Sequence, residues 1–294
     1  MKGMFELDDE DMQAEYNLGE GQNNLLIVDA LNLAFRYKQQ SLYDHSAPYM
    51  RTINSLASSY GCNSVVIASD WGSSKWRKLV SSGTYKSNRE EMRKNQTEEE
   101  AEKFKLFFEG FEKAVELAGA IHPVLKFKGV EADDVAGYIV KEYAEKFDNI
   151  WLISSDKDWD LLLKDNVHRF SYVTRKEYTL DNFAETHGGC ENPEDYVSMK
   201  VFTGDSGDGV PGFDGVGEKR AYNLIRQYGT ALDVYHEIPL AGNQKYIQSI
   251  NSDPEKILLN YELMDLLSYC KEAINYQEKS NSLEIDAVIQ EIIC

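Results

Sequence analysis

The chain has 294 residues, of which 42% are hydrophobic and 12% aromatic, so it can bury the core of one large domain and a smaller one. No apolar stretch approaches the roughly 20 residues that a membrane-spanning helix needs, which argues against a membrane partner. The net charge of −19 disfavours any protein that holds nucleic acid through an overall positive charge.

The distribution of this charge matters more than its sum. Residues 1–21 contain seven acids, one lysine and no regular apolar period, so we predict an acidic, mobile tail. This tail contributes −6 and the nine acids discussed below contribute −9, which leaves −4 for the rest of the chain. Net charge therefore does not exclude a DNA-binding protein.

The cysteines and the N-terminus predict a cytoplasmic location. The four cysteines are scattered and form no Cys-x-x-Cys pair, as expected of reduced thiols. The N-terminus has no basic region followed by an apolar one, so we expect no signal peptide.

The predicted elements of the first part alternate between strands and helices. Three apolar runs, at 25–28, 65–68 and 150–154, are typical of strands buried on both faces. Helices are expected at 49–60, over about 22 residues after a capping box at Thr97 and Glu100, and at 133–146. The segment between Trp71 and Gln96 is predicted to be a long loop. The pattern predicts an α/β fold with a mostly parallel central sheet flanked by helices.

From Pro193 onward the sequence becomes mostly helical. Helices are expected at about 193–203, 217–228, 243–250 and 254–268. We therefore place a domain boundary near residue 190, which gives domains 22–190 and 191–294.

Acidic residues follow the apolar runs of the first domain. Asp29, Asp70 and Asp156 each end such a run, Asp158 follows closely, and Gly129-Val130 leads into Glu131-Ala132-Asp133-Asp134. The carboxyl ends of parallel strands meet at one edge of the sheet, so these carboxylates should converge. A single aspartate there is more often a solvated or helix-capping residue, but the joint pattern favours two hard cations such as Mg²⁺ or Mn²⁺. Two such ions can activate water and stabilise the leaving oxygen in phosphodiester hydrolysis. Asp160 and Asp165 lack this support and are interpreted as surface or capping residues.

A glycine-rich segment of the second domain adds two more acids. Asp205 and Asp208 lie three residues apart in Gly204–Gly212 and could complete a metal site, or could belong to an ordinary turn. The run that follows, Gly212–Ala221, places Gly215 and Gly217 before a helix that begins with Lys219 and Arg220. The N–H groups of such a helix start can bind phosphate, although a plain joint between helices is the alternative.

A basic stretch with aromatic residues lies in the predicted long loop. Tyr85-Lys86-Ser87-Asn88-Arg89 has Trp76, Arg77 and further lysines nearby. Rings that stack on bases and cations that follow phosphates are typical of a single-strand channel, and a solvated, mobile loop is the alternative.

The order and spacing of these motifs over residues 24–275 resemble the 5′-nuclease family of phage 5′→3′ exonucleases, flap endonucleases and polymerase 5′-nuclease domains. The most specific segments are Gly129–Asp134, Ser154–Asp160 and Gly204–Ala221. The resemblance implies a PIN-like nuclease domain, a helical arch at about 72–118 and a C-terminal helix–hairpin–helix domain that holds duplex DNA.

The resemblance also implies residue roles. One group of ligands lies close to the scissile phosphate and another lies further away, and Asp134 or Asp156 is a candidate to bridge them. The first group would be mainly Asp29, Asp70, Glu131, Asp133 and Asp134, and the second mainly Asp156, Asp158, Asp205 and Asp208. Lys86 would polarise the phosphate, Arg89 would assist it, and Tyr85 would stack on a base. The DNA-binding candidates are Tyr85, Arg36, Gly215, Gly217, Lys219 and Arg220.

The implied activity is a divalent-metal-dependent 5′-nuclease that cuts 5′ flaps and 5′ ends and leaves a 5′-phosphate and a 3′-hydroxyl. Mg²⁺ is the expected ion, Mn²⁺ a substitute, and K⁺ a candidate at the hairpin carbonyls. RNA in RNA–DNA hybrids is a second candidate substrate, and a monomer is expected. The rival hypotheses are a non-catalytic DNA-binding module, which should lack some of the acids, and a small-molecule phosphatase. Such a phosphatase often carries Asp-x-Asp on its first strand, whereas Asp29 is followed by Ala30-Leu31.

Overall fold

The computed structural model describes residues 22–40 and 44–294. The predicted acidic tail lies outside the described residues. None of the helices within the described ranges is both long and apolar enough to cross a membrane.

A six-stranded, mostly parallel sheet forms the centre of the first domain. Its strand order is β3-β2-β1-β4-β5-β6, and only β6, at one edge, runs antiparallel to its neighbour. The strands are β1 (Asn24–Asp29), β2 (Cys62–Ser69), β3 (Val124–Lys126), β4 (Asn149–Ile153), β5 (Val167–Ser171) and β6 (Lys176–Tyr178). The three predicted strands are confirmed. The other three, β3, β5 and β6, were not predicted because none of them forms a continuous apolar run of four or more residues.

Helices cover both faces of this sheet. In chain order, the first helices that the structure describes are α1 (Ala30–Gln39), α2 (Ser46–Ser59), α3 (Lys75–Val80), α4 (Ser87–Lys94), α5 (Glu98–Gly119) and α6 (Ala132–Tyr143). Leu26 and Val28 of β1 pack in one core with α1, α2 and α5, whereas Leu25 and Ile27 pack in the opposite core with α6. This alternation of successive side chains is what a strand buried on both faces requires.

The long helix α5 forms as predicted. The Thr97 and Glu100 side chains make the reciprocal capping box, and the helix runs for 22 residues. Its buried residues include Phe107, Phe111 and Val115. The predicted apolar face is therefore a packing face.

The predicted long loop at 71–96 is wrong, because α3 and α4 lie within it. Helix α3 has only six residues, too few for an apolar period, and Ser74 caps it by accepting from the Arg77 N–H at 3.2 Å. Helix α4 has the sequence SNREEMRK, in which polar residues occupy every face. Neither helix therefore leaves a hydrophobic pattern in the sequence.

The second part of the chain contains eight helices and a two-stranded ribbon within the described residues. They are α7 (Phe183–Thr186), α8 (Pro193–Thr203), β7 (Gly204–Asp205), β8 (Val210–Pro211), α9 (Glu218–Tyr228), α10 (Ala231–His236), α11 (Lys245–Ser252), α12 (Glu255–Met264), α13 (Cys270–Asn275) and α14 (Asn281–Ile293). Helices α8 to α12 share a separate core, but buried residues of α13 and α14 join the core beneath α6. The end of the chain therefore packs back against the first domain.

Asp160, interpreted from sequence as a surface or capping residue, is buried, so that interpretation is wrong. Both of its oxygens accept from the Arg169 guanidinium, at 2.5 and 2.6 Å, and His187 Nε2 lies 2.9 Å from Oδ2. This network joins a short helical turn after β4, the strand β5 and helix α7. It is structural, because its members are satisfied by one another.

Candidate active site

The strand-end acids gather at the carboxyl edge of the sheet. The strand order reverses between β1 and β4, and ligand sites of open parallel sheets lie at such a reversal. Asp29 ends β1, Asp70 follows β2, and Asp156 lies three residues beyond β4. The fold therefore brings together side chains that are up to 127 residues apart.

Local hydrogen bonds fix the two aspartates nearest the sheet. Asp29 caps α1 by accepting from the Asn32 N–H at 3.1 Å, and its other oxygen accepts from the Ser154 hydroxyl at 2.8 Å. Asp70 Oδ1 accepts from the Ala132 N–H at 2.7 Å. Asp70 is thereby tied to the first turn of α6, where the next acids begin.

Glu131 is the most densely paired acid of the site. Its Oε1 accepts from Lys86 Nζ at 2.8 Å, and its Oε2 lies 2.9 Å from the Tyr85 hydroxyl and 3.4 Å from Arg77 Nη1. Two residues along, Asp133 Oδ1 accepts from the Trp159 indole N–H at 2.6 Å. Both oxygens of Glu131 therefore accept from fixed donors, and one oxygen of Asp133 does so.

Asp134 differs from its predicted role as a metal ligand. Its side chain is fully buried, and its two oxygens accept from Arg77 Nη1 and Nη2 at 2.9 and 2.7 Å. The geometry is a bidentate ion pair, and Arg77 also donates through Nε to the Leu263 carbonyl at 3.0 Å. Arg77, which sequence reasoning had placed in a single-strand channel, therefore engages both oxygens of Asp134.

The second predicted group surrounds Lys200. This buried lysine of α8 makes a short hydrogen bond to Asp158 Oδ1, and its Nζ lies 3.2 Å from Asp205 Oδ2. Asp156 caps the helical turn after β4 by accepting from the Asp158 N–H at 3.0 Å, and its side chain is exposed. Lys200 was missed because it belongs to no recognisable motif. Its acidic partners, Asp158 and Asp205, lie outside α8 and meet it only in the folded protein.

Glycine places the acidic loop that carries Asp205 and Asp208. Gly204 has φ +77°, and a Cβ atom there would lie 2.2 Å from the Gly212 nitrogen. The two glycines thus close the narrow β7–β8 ribbon, whose tip faces the first domain. Asp205 Oδ1 accepts from the Asp208 N–H at 3.2 Å and holds the tip in shape.

Asp208 joins this loop to the basic stretch at 85–89. Its carboxylate accepts from Arg89 Nη2 at 2.7 Å, and it lies 3.5 Å from Lys86 Nζ and 3.0 Å from the Tyr85 hydroxyl. The Asp208 carbonyl also accepts from the Lys86 N–H at 2.8 Å. The structure therefore brings Lys86 and Arg89 to the acids, as predicted.

Tyr85 and Trp76 are not available as stacking rings in this conformation. Tyr85 is 3% exposed and lies between Glu131 and Asp208, and Trp76 is 7% exposed and stacks on Tyr269 at a centroid distance of 5.6 Å. The predicted stacking role of Tyr85 is therefore not supported. Its hydroxyl instead links an acid of each domain.

The electrostatics confirm that the acids converge. Burial, followed by repulsion from Asp70, raises the pKa of Asp29 well above its usual value. Burial and Glu131 raise the pKa of Asp70 to about 6, and burial and Asp156 raise that of Asp133. Burial also acts on Glu131, but Lys86 and Arg77 outweigh it and lower its pKa. The cluster thus carries more negative charge than its basic partners neutralise.

A cleft between the two domains exposes part of this cluster. It is lined by residues of both, including Asp133, Asp158, Lys200, Asp205 and Asp208. In this conformation, no three His, Cys, Asp or Glu side chains in the described ranges are arranged to hold one ion. Lys86 and Lys200 occupy the spaces between the acids instead.

The glycine hairpin lies on the same domain as the acidic loop. Phe213 and Val216 anchor it in the C-terminal core, and Gly217 is the N-cap of α9. Lys219 and Arg220 are exposed on the first turn, and Arg220 also donates to the Gly215 carbonyl. Lys256 Nζ donates to the Gly212 carbonyl at 2.6 Å. Arg36, the remaining DNA-binding candidate, is half-buried on α1, near Tyr172.

Comparison with known proteins places this geometry in a family. The model of the 5′-3′ exonuclease N-terminal resolvase-like domain matches residues 24–188, and that of the 5′-3′ exonuclease C-terminal SAM fold matches residues 191–286. The flap endonuclease of Escherichia phage T5 is 44% identical over 254 residues, which cover 86% of this chain and 87% of that protein.

Solved structures agree with this match. A structure of T5 5′-exonuclease with bound divalent zinc ions has a TM-score of 0.89 at 41% identity and covers 92% of this chain and 100% of that one. A T5 flap endonuclease variant in a pseudo-enzyme–product complex with DNA and metal ions has a TM-score of 0.88 at 41% identity, with 92% and 99% covered. The predicted fold class is thereby confirmed, and the chain belongs to the 5′-3′ exonuclease family of metal-dependent nucleases.

Proposed function

We propose that the protein hydrolyses phosphodiester bonds at 5′ flaps and 5′ ends of DNA by a two-metal mechanism and leaves a 5′-phosphate and a 3′-hydroxyl. The observation that carries the proposal is the shared cleft. Acids from the sheet edge and from the β7–β8 ribbon meet there, and the hairpin that could hold a duplex follows directly on the ribbon. One segment would thus both grip DNA and complete the site.

Eight of the nine predicted acids are the proposed ligands of the divalent cations. Carboxylate oxygens are the ligands that Mg²⁺ and Mn²⁺ prefer. Burial, followed by repulsion from neighbouring acids, raises the pKa values of Asp29, Asp70 and Asp133, and a bound cation would offset that repulsion. The proposed ligands are Asp29, Asp70, Glu131, Asp133, Asp156, Asp158, Asp205 and Asp208. Asp134 instead holds Arg77. Two bound ions would activate water and neutralise charge on the phosphate and the leaving oxygen.

Lys86 is the residue of the chain best placed to act on the phosphate. Burial disfavours its charge, but Glu131 and Asp208 outweigh burial and raise its pKa, so it stays cationic. Cations that take over Glu131 and Asp208 would free the ammonium to donate to a phosphate oxygen. The Arg89 side chain is half-exposed and pairs with Asp208, so it can contact the phosphate next to the one that Lys86 contacts.

Duplex DNA would lie along the hairpin at Gly215 and Gly217. The N-terminus of α9 offers backbone N–H groups, and Lys219 and Arg220 add exposed positive charge without reading bases. K⁺ remains a candidate at the hairpin carbonyls, two of which accept from Lys256 and Arg220. Segment 72–118 is the proposed arch for the single strand, and Arg36 a further phosphate contact.

We also propose a second substrate, an oligomeric state, a cellular location and domain boundaries. RNA in RNA–DNA hybrids is a second substrate, because cleavage beside a junction needs little base reading. We propose a monomer that acts in the cytoplasm, with domains at 22–190 and 191–294.

Cleavage of a labelled 5′-flap duplex tests the function. With Mg²⁺ the protein should cut near the junction, EDTA should stop the reaction, and Mn²⁺ should restore it. A 3′-flap duplex of the same sequence is the matched control and should stay intact. A failure to cut the 5′ flap, or equal cutting in EDTA, would contradict the proposal.

A further inference from the structure

Trp71 is an exposed ring beside the acids. The structure describes all four tryptophans of the chain, and the other three are at most 7% exposed, whereas Trp71 is 53% exposed. It directly follows Asp70, so their Cα atoms are about 3.8 Å apart.

The backbone of Trp71 is fixed although its side chain is open. Its N–H donates to the Val130 carbonyl at 3.2 Å, and its carbonyl accepts from the Gly129 N–H at 2.8 Å. The loop it pairs with leads directly into Glu131. Two backbone hydrogen bonds therefore hold Trp71 against the segment that leads into Glu131.

Two exposed lysines lie on the backbone segments that adjoin Trp71. Lys75 packs its stem on Gly129, where a Cβ atom would come within 2.5 Å of Lys75 Cγ, and Lys128 precedes that glycine. Both side chains are exposed, and within residues 22–40 and 44–294 neither ammonium group pairs with a carboxylate. An exposed ring with unpaired lysines on the adjoining segments is typical of a surface that stacks bases and contacts phosphates.

We propose that Trp71, with Lys75 and Lys128 on the adjoining segments, stacks on a base of the cleaved strand. Trp71 is the next residue after Asp70, so the base would lie within about two nucleotides of the scissile phosphate. Trp71 would then position the substrate in place of Tyr85, whose ring is buried. The proposal rests on the proposed function, because it needs a DNA strand at the acids.

The test pairs a Trp71→Ala variant with substrates that lack one base. Each nucleotide from two before to two after the scissile phosphate of a 5′-flap duplex is replaced in turn by an abasic one, and binding is measured in Ca²⁺. At one position the missing base should weaken wild-type binding roughly 5- to 100-fold. Trp71→Ala should bind the intact substrate equally weakly and lose nothing more at that position. Trp71→Phe should retain most of the affinity.

An exposed apolar residue at the opposite end of the sheet provides the control. Ile121 is 64% exposed and precedes β3, so Ile121→Ala should behave as the wild type at every position. Equal abasic penalties in the wild type and Trp71→Ala would overturn the proposal, whereas a wild type that leaves the flap uncut would overturn the proposed function instead.

Intrinsic fluorescence gives a second readout that needs no variant. Trp71 is the tryptophan open to solvent, so iodide should quench mainly its emission. Binding of the flap duplex should protect it. Unchanged iodide quenching in the complex would contradict the stacking role, even if Trp71→Ala failed to fold.

Discussion

The acidic cluster and the glycine hairpin stabilise their charged side chains in opposite ways. In the cluster, Glu131, Asp134 and Lys200 are buried, and each charge has an opposite partner within hydrogen-bonding distance. On the hairpin, Lys219 and Arg220 are exposed to water. Burial makes the ion pairs of the cluster costly to break, because removing one partner leaves the other charge buried and unsolvated. Exposure makes the second region tolerant, so its changes should affect only DNA affinity.

The largest expected effect is loss of catalysis in Asp156→Asn. The carboxylate is exposed at the edge of the cluster, so its charge contributes to chemistry more than to packing. We expect cleavage under single-turnover conditions to fall by on the order of 10³-fold or more. The amide oxygen can still accept from the Asp158 N–H, so flap binding and the melting temperature should be retained. Parallel loss of binding would mean that Asp156 is structural.

Arg77→Met should destabilise the fold more than any hairpin substitution. It leaves Asp134 fully buried without a partner, which costs about 3–5 kcal/mol in comparable ion pairs. Urea unfolding measures the loss, and Arg77→Met with Asp134→Leu should recover much of it. If the single variant were as stable as the wild type, the pair would not carry the role assigned to it.

Divalent ions should stabilise the protein through the cluster. Burial and then mutual repulsion raise the pKa values of these acids, so a bound cation relieves the repulsion in the folded state. At about 100 times the dissociation constant, Mg²⁺ should add about 2.7 kcal/mol to the free energy of unfolding. Thermal denaturation should show the shift, and EDTA should reverse it. Lys219→Ala should show the same Mg²⁺ shift as the wild type, whereas an Asp70→Asn variant should show less.

The smallest effect is expected on the hairpin. Lys219→Ala should weaken duplex binding uniformly across sequences and reduce the salt dependence of log K by about one phosphate contact. Stability and the rate of cleavage at saturation should not change. Anisotropy titrations at several salt concentrations measure this, and an unchanged salt slope would place the duplex elsewhere.

The same contrast explains what could be predicted from sequence. Strands buried on both faces leave continuous apolar runs, so Asp29, Asp70 and Asp156 were placed correctly at one edge. Arg77, Lys200 and Asp160 lie in segments whose partners come from distant elements, and a charged residue in sequence looks exposed until those elements pack. The polar helix α4 was missed for a related reason, since it has no apolar face.

Two aromatic residues illustrate the remaining limit. Tyr85 and Trp76 were assigned to a surface because they stand among basic residues, yet the fold buries both. Trp71, at the start of the predicted long loop, is instead the exposed ring. Ring exposure depends on how a loop packs, and local composition does not determine it.

Anomalous diffraction from crystals soaked in Mn²⁺ would test the central claim most directly, namely that acids of both domains hold the ions. The account predicts Mn²⁺ in the interdomain cleft, with ligands from the sheet-edge acids and from Asp205 or Asp208. Mn²⁺ bound only at surface acids outside the cleft, or bound without any ligand from the β7–β8 ribbon, would contradict it.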